Sequence, residues 1–202
     1  DGPQPILGRA GPCYIRGLSD HPIVGMMEFD IYDFDRITDQ GLLIPVVLHE
    51  MGHVLGIGTI WDNRDLLMNP SAVTPSADTH FKGMHAITAF DDAGGVSYTG
   101  GQKVPVENEA GPGSQDSHWR EAVFGAELMS PFVNNGVQNP LSRITIQSLA
   151  DLGYGVDVSQ GEPYSLPLAA NLVSPDRGPG IDLRDDIRRG SILVVGPKKR
   201  RH

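Results

Sequence analysis

The sequence predicts an α+β fold in which a small twisted sheet and one long helix lie over a loop-rich carboxy-terminal part. Three observations lead there. Residues 23–34 form an apolar, β-tending run, residues 42–55 carry an apolar helical surface, and 25 Gly with 16 Pro in 202 residues leave much of the remainder to turns and loops. In chain order, ILGRAGPCYIRG (6–17) reads as a short extended segment broken by Gly and Pro. IVGMMEFDIYDF (23–34) reads as a strand that ends in alternating acids. In DQGLLIPVVLHEMGHVLGIG (39–58), Asp39 is placed to cap a helix, Leu42, Leu43, Val46, Val47, Val54 and Leu55 give it an apolar surface, and Gly56 and Gly58 stop it.

Residues 59–117 show little sustained period and read as loops, with one short helix expected in HFKGMHAITAFDDAGG. SHWREAVFGAELMSP (117–131) reads as a helix or turn opened by a Ser cap. PLSRITIQSLADLGYGV (140–156) is a clear helix, capped by Ser142 and ended by Gly153, with Ile144, Ile146, Leu149 and Leu152 apolar. Beyond Pro163 the chain is Pro/Gly-rich and charged, and SILVVG (191–196) reads as an added strand or a loose tail. The expected division is a domain over 1–156 and an extension over 157–202, whose removal should leave the site of the helix 42–55 intact.

A net charge of −9 argues against a nucleic-acid surface, which needs clustered Lys and Arg. The one basic run, KKRRH, closes the sequence and reads as a solvated end. A single cysteine, Cys13, excludes an internal disulfide framework and reads as a small buried side chain. No apolar run approaches the ~18 residues of a membrane span, and no signal peptide opens the sequence. Oligomeric state is not legible.

The chemistry concentrates in HEMGH. His49 and His53 stand at i and i+4, so a helix projects both imidazoles from one face, with Glu50 beside them. Neutral imidazoles bind zinc, and a carboxylate next to the ion can take a proton from water at neutral pH. A catalytic zinc takes three protein ligands and leaves a fourth position open. In the compact form of this motif the third ligand falls where Thr59 stands, and threonine is a poor zinc ligand. Asp62, His80, His85, Glu107, Glu109 and His118 are the candidates within reach of the sequence. The acids of NRD and FDDAGG lack the spacing of a known calcium cage and read as solvated.

HEMGHVLGIG, then SHW with His118 62 positions after Gly56, then ELMSP, resembles the leishmanolysin family of metzincin zinc metallopeptidases over roughly residues 5–156. With one cysteine, the chain resembles the simpler bacterial members more than the cysteine-rich ones. The resemblance implies a metzincin-type zincin fold, one catalytic zinc ion held by His49, His53 and His118, Glu50 as general base, and Met129 as the methionine of a turn beneath the metal. It also implies that Gly25, Met26, Met27 and Glu28 belong to an edge strand that pairs with an extended substrate. A latency thiol is known in some metzincin prosegments, but Cys13 lies inside the apparent domain. Family members begin with a strand and a backing helix, neither visible before residue 23, so an upstream segment is expected to supply them. The implied function is hydrolysis of protein or peptide substrates by a secreted or cell-surface endopeptidase. The alternative is a catalytically inactive zinc-binding adhesion or scaffold domain of the same fold.

Overall fold

Two antiparallel strands lie beside the helix that bears HEMGH. In the computed structural model, which describes residues 6–71, 78–109, 111, 113–167, 181–188 and 190–197, β1 (Gly8–Arg16) pairs with β2 (Pro22–Phe29). β1 is therefore a full strand before residue 23. Its Gly and Pro conceal it in the sequence, and the register slips on either side of Tyr14.

The apolar run 23–34 is not all strand. Asp30 takes extended backbone angles and its side chain accepts the Tyr32 amide, which opens α1 (Ile31–Asp39). Asp33 and Ile37, one turn apart, are its buried face. Asp39 thus closes α1 instead of capping the next helix. That helix, α2 (Leu43–Leu55), has no side-chain cap, and Pro45 in its first turn removes one of the amides that would otherwise lack a partner. It ends as expected at Gly56, whose φ of 118° lets its amide reach the His53 carbonyl while Ile57 reaches that of Gly52.

Residues 59–117 hold β3 (Leu67–Met68), β4 (His80–Phe81), α3 (Met84–Phe90), a π-turn over Asp91–Gly95, α4 (Val96–Thr99) and β5 (Val104–Pro105). The three short strands form a second sheet in the order β3-β4-β5. Then follow α5 (Glu121–Phe124), β6 (Phe132–Val133) and α6 (Arg143–Asp151). Ser142 caps α6, accepting the Thr145 amide, and Gly153, at φ 97°, follows its last turn.

Two cores fix these pieces. The larger gathers Trp61, Phe81, Phe90, Trp119, Phe124 and Met129 with the apolar side of α6. The smaller joins Leu7, Ile37, Leu42, Val46, Val133, Ile181 and Leu183. Residues beyond 156 contribute to both. Leu166 is buried in the larger core and its amide bonds to the Ala93 carbonyl. β7 (Ile181–Asp182) pairs with β6, and β8 (Leu193–Val195) runs parallel to β1, giving the first sheet the order β2-β1-β8.

Candidate metal centre

α2 delivers His49 and His53 from one face, their ring centroids 4.8 Å apart. His118 arrives from a loop pinned on both sides. Its carbonyl accepts the Glu107 amide at 2.9 Å, and the next residue, Trp119, bonds through its own amide to Met129 and through Nε1 to the Thr145 hydroxyl. Gly58, just beyond α2, lies so close to the Ser117 backbone that a Cβ there would sit 2.0 Å from the Ser117 carbonyl oxygen. A long excursion after α2 thus returns His118 to the helix through a contact that only glycine permits.

Met129 lies against the same helix: a Cβ on Gly52 would meet its Sδ at 2.7 Å. The turn that carries Met129 is organised by the buried Glu127. Its Oε2 accepts the Met129 amide at 2.6 Å, and its Oε1 accepts the hydroxyls of Ser142 and Thr145, each at 2.6 Å. Burial pushes the Glu127 carboxyl above the ordinary carboxylate range, against the hydrogen bonds from Ser142, Thr145 and Met129.

The three Nε2 atoms converge. They are 3.0 Å apart for His49 and His53, and 3.2 Å apart for His118 and each of the other two. Every Nδ1 faces outward onto an acceptor: the Leu128 carbonyl at 2.6 Å for His49, the Ile57 carbonyl at 2.9 Å for His53, and the Ser117 hydroxyl at 3.0 Å with the Ser114 carbonyl at 3.2 Å for His118. A carbonyl oxygen only accepts, so Nδ1 of His49 and of His53 carries the proton, and a neutral ring then turns a bare Nε2 lone pair inward. Three inward lone pairs repel one another unless a cation sits among them. Tetrahedral zinc with bonds of ~2.0–2.1 Å holds its donors about 3.3 Å apart, close to the separations found. The donor set fits the ion that the sequence implied, with its outer hydrogen bonds in place.

A fourth donor joins them. Asp186 Oδ2 lies 2.8 Å from Nε2 of His49, 3.1 Å from that of His118 and 3.4 Å from that of His53. Burial would raise this carboxyl, but positive charge on the side of His118 and His53, whether a proton or a bound cation, lowers it well below the ordinary carboxylate range. Glu50 is buried beside the cluster with neither carboxylate oxygen hydrogen-bonded among the described residues. Burial first, then the Asp186 charge, pushes its carboxyl up to about 10. A bound cation would lower both carboxyls, opposing the upward shift of Glu50 and adding to the downward shift of Asp186, since a nearby positive charge favours the ionised form.

Other candidate ligands lie elsewhere. His80 sits in β4 with Nδ1 on the Asp78 carbonyl, and His85, Asp62 and Glu109 are exposed. Glu107 accepts the amides of Asn108, Glu109 and Glu121, so its carboxylate closes a loop. Gly25–Glu28 pair with Arg9–Pro12, which leaves β1 between that strand and residues 186–188. Cys13 is half-buried on β1 with Sγ 3.7 Å from Nη1 of Arg188, away from the imidazoles. Asp186 was not among the candidates legible in the sequence. It is one acid in LRDDIRRG, with no spacing relation to HEMGH.

Comparison with known proteins bears on the same residues. A family model described as leishmanolysin matches residues 4–172. Leishmanolysin of Leishmania donovani is 28% identical over 165 residues, covering 78% of this chain and 26% of its own length. The chain therefore spans about a quarter of that relative. His49, Glu50, His53, His118 and Met129 fall inside the matched residues, and Asp186 falls beyond them.

Proposed function

The chain belongs to the leishmanolysin family, and from that premise we propose that it is a zinc-dependent endopeptidase acting on protein or peptide substrates. The observation that carries this proposal is the convergence of three imidazoles, His49, His53 and His118, with the Glu50 carboxylate buried beside them and free of any hydrogen bond among the described residues.

When bound, zinc supplies Lewis acidity, polarising the scissile carbonyl and easing loss of a proton from water. The protein does the rest. His49, His53 and His118 hold the ion with their Nε2 atoms, and the Leu128 and Ile57 carbonyls with the Ser114–Ser117 turn keep the rings from rotating. Glu50 is the general base. A carboxylate with no competing hydrogen bond takes the proton from the attacking water and returns it to the leaving amine. Met129 packs beneath the site against Gly52 and holds its floor. The family relation points to secretion or the cell surface. No helix among the described residues is long and apolar enough to cross a membrane.

One observation favours a second reading. Four protein donors with no open position are the signature of a structural zinc site, as in a scaffold domain without activity. Metal content and casein cleavage separate the two for the wild-type chain, His118→Ala and Glu50→Gln. A peptidase keeps one zinc in wild type and in Glu50→Gln, loses it in His118→Ala, and shows chelator-sensitive cleavage that falls ~10²–10⁴-fold in Glu50→Gln. Wild-type protein without metal, or cleavage unchanged in Glu50→Gln, would overturn the proposal.

A further inference from the structure

The metal centre is closed to solvent in this structure. His49, Glu50, His53 and His118 are each 0% exposed and Asp186 is 1% exposed. On the side of Asp186, the segment over them is residues 181–188. β7 at its start pairs with β6, the Leu183 amide bonds to the Pro131 carbonyl just past Met129, and Ile181 and Leu183 are buried in the smaller core. At its far end the Asp186 carbonyl accepts the Ala10 amide at 2.8 Å and the Arg188 amide donates to the Ala10 carbonyl at 2.9 Å. Both backbone groups of Ala10 on this edge of β1 are thereby taken, in the parallel sense. Asp182, Arg184 and Asp185 on the outside of this segment are exposed, so it is one chain thick.

The four donors are not held alike. Each imidazole is fixed by a hydrogen bond behind it, as expected of a permanent ligand. The second oxygen of Asp186, Oδ1, is buried with no hydrogen-bond partner among the described residues. Metal-ligating carboxylates are ordinarily hydrogen-bonded at the oxygen that faces away. The donor that lacks this support also lies outside the residues matched by the family model.

We propose that residues 181–188 form an intramolecular latency strap: Asp186 fills the fourth coordination position, which a hydrolytic zinc site leaves open, while the Asp186 and Arg188 backbone takes the Ala10 amide and carbonyl of β1, which in place of the Gly25–Glu28 edge is the backbone beside the metal centre open to an extended substrate once the strap lifts. This rests on the zinc-peptidase reading. The strap converts an active centre into a closed one without altering the three imidazoles or Glu50. Activity requires the strap to lift or be cut, and an extended peptide competes with it for the Ala10 amide and carbonyl. A strap seated all but about 1% of the time lowers the apparent affinity of any active-site ligand about 100-fold.

The full chain loaded with cobalt(II) reports coordination directly through its visible spectrum, independently of catalysis. Wild type, Asp186→Ala and Asp186→Asn are compared, with circular dichroism to confirm folding, and each is titrated with acetohydroxamate. The expected result is one cobalt per chain in all three. The spectrum of the two variants should differ from wild type, hydroxamate should bind them about 100-fold more tightly, and casein cleavage after zinc loading should rise in parallel. Asp186→Asn keeps the shape of the strap, so a result shared with Asp186→Ala reports the lost ligand and not a lost fold. Identical spectra and hydroxamate affinities across the three proteins overturn the strap and leave the peptidase reading standing. Loss of cobalt from both folded variants overturns it too, because Asp186 is then an obligatory ligand. A wild-type chain that binds no cobalt at all brings down both.

Discussion

Behind each imidazole stands a different kind of support. His49 leans on a carbonyl of the turn before Met129, His53 on the end of its own helix, and His118 on a serine-rich turn. Ser117→Ala removes one of the contacts on His118 Nδ1 and leaves the Ser114 carbonyl. Loss of such outer-shell support typically costs 10–100-fold in metal affinity, so about tenfold is expected here, measured by titration against a competing chelator. Glu127 gives a pH signature of its own. Its native carboxyl is raised above the ordinary value of 4.5, so the folded protein holds this proton more tightly than the unfolded chain does. The associated stability is fully present below the unfolded value and is lost as pH rises through the folded one. Glu127→Gln cannot ionise, and its stability relative to wild type is expected to improve from pH 5 to pH 8 in urea denaturation. A constant difference across that range would show that Glu127 titrates normally.

At the level of elements, the meeting of α2 with the His118 loop depends on Gly58. Its φ of 71° suits glycine, and the Ser117 backbone leaves no room for a side chain. Gly58→Ala must push the loop outward, and it is expected to weaken metal retention and lower the melting temperature. Gly155→Ala, at a glycine with ordinary φ and open space within 4 Å of where its Cβ would stand, serves as the neutral control. The test is metal content and thermal melting of both variants; equal behaviour would mean that the loop reaches α2 by other contacts. α6 acts at the same scale. Its cap, Ser142, also donates to Glu127, so Ser142→Ala removes a helix cap and one support of the Met129 turn together. About 1–2 kcal/mol of stability is expected to be lost, as measured by chemical denaturation.

Across the whole molecule, the metal centre joins pieces that the chain order keeps far apart: α2, the His118 loop, and the segment after residue 181. An ion bound there by the native state alone stabilises it by RT ln(1 + [L]/Kd), about 4 kcal/mol at a thousandfold excess over Kd. Chelation of the loaded protein is therefore expected to lower its melting temperature and to expose residues 181–188 to protease, since their hold on the imidazoles goes with the metal. Unchanged melting and unchanged proteolysis after metal removal would mean that the two cores alone keep this segment in place.

HEMGH could be read as a metal motif because its geometry is local: one helical turn carries His49 to His53, and Gly56 ends the helix at its left-handed residue whatever lies around it. The same locality made α6 legible between Ser142 and Gly153. Local pattern misled at 30–34, where DIYDF alternates like a strand and the Asp30 cap turned it into a helix. His118 was reachable only through family resemblance, since no period links it to His53. Asp186 and the segment around it were decided by tertiary structure alone. That segment is held to β1 by backbone hydrogen bonds at Ala10, and backbone groups are the same in every residue, so the pairing leaves no mark in the side-chain sequence.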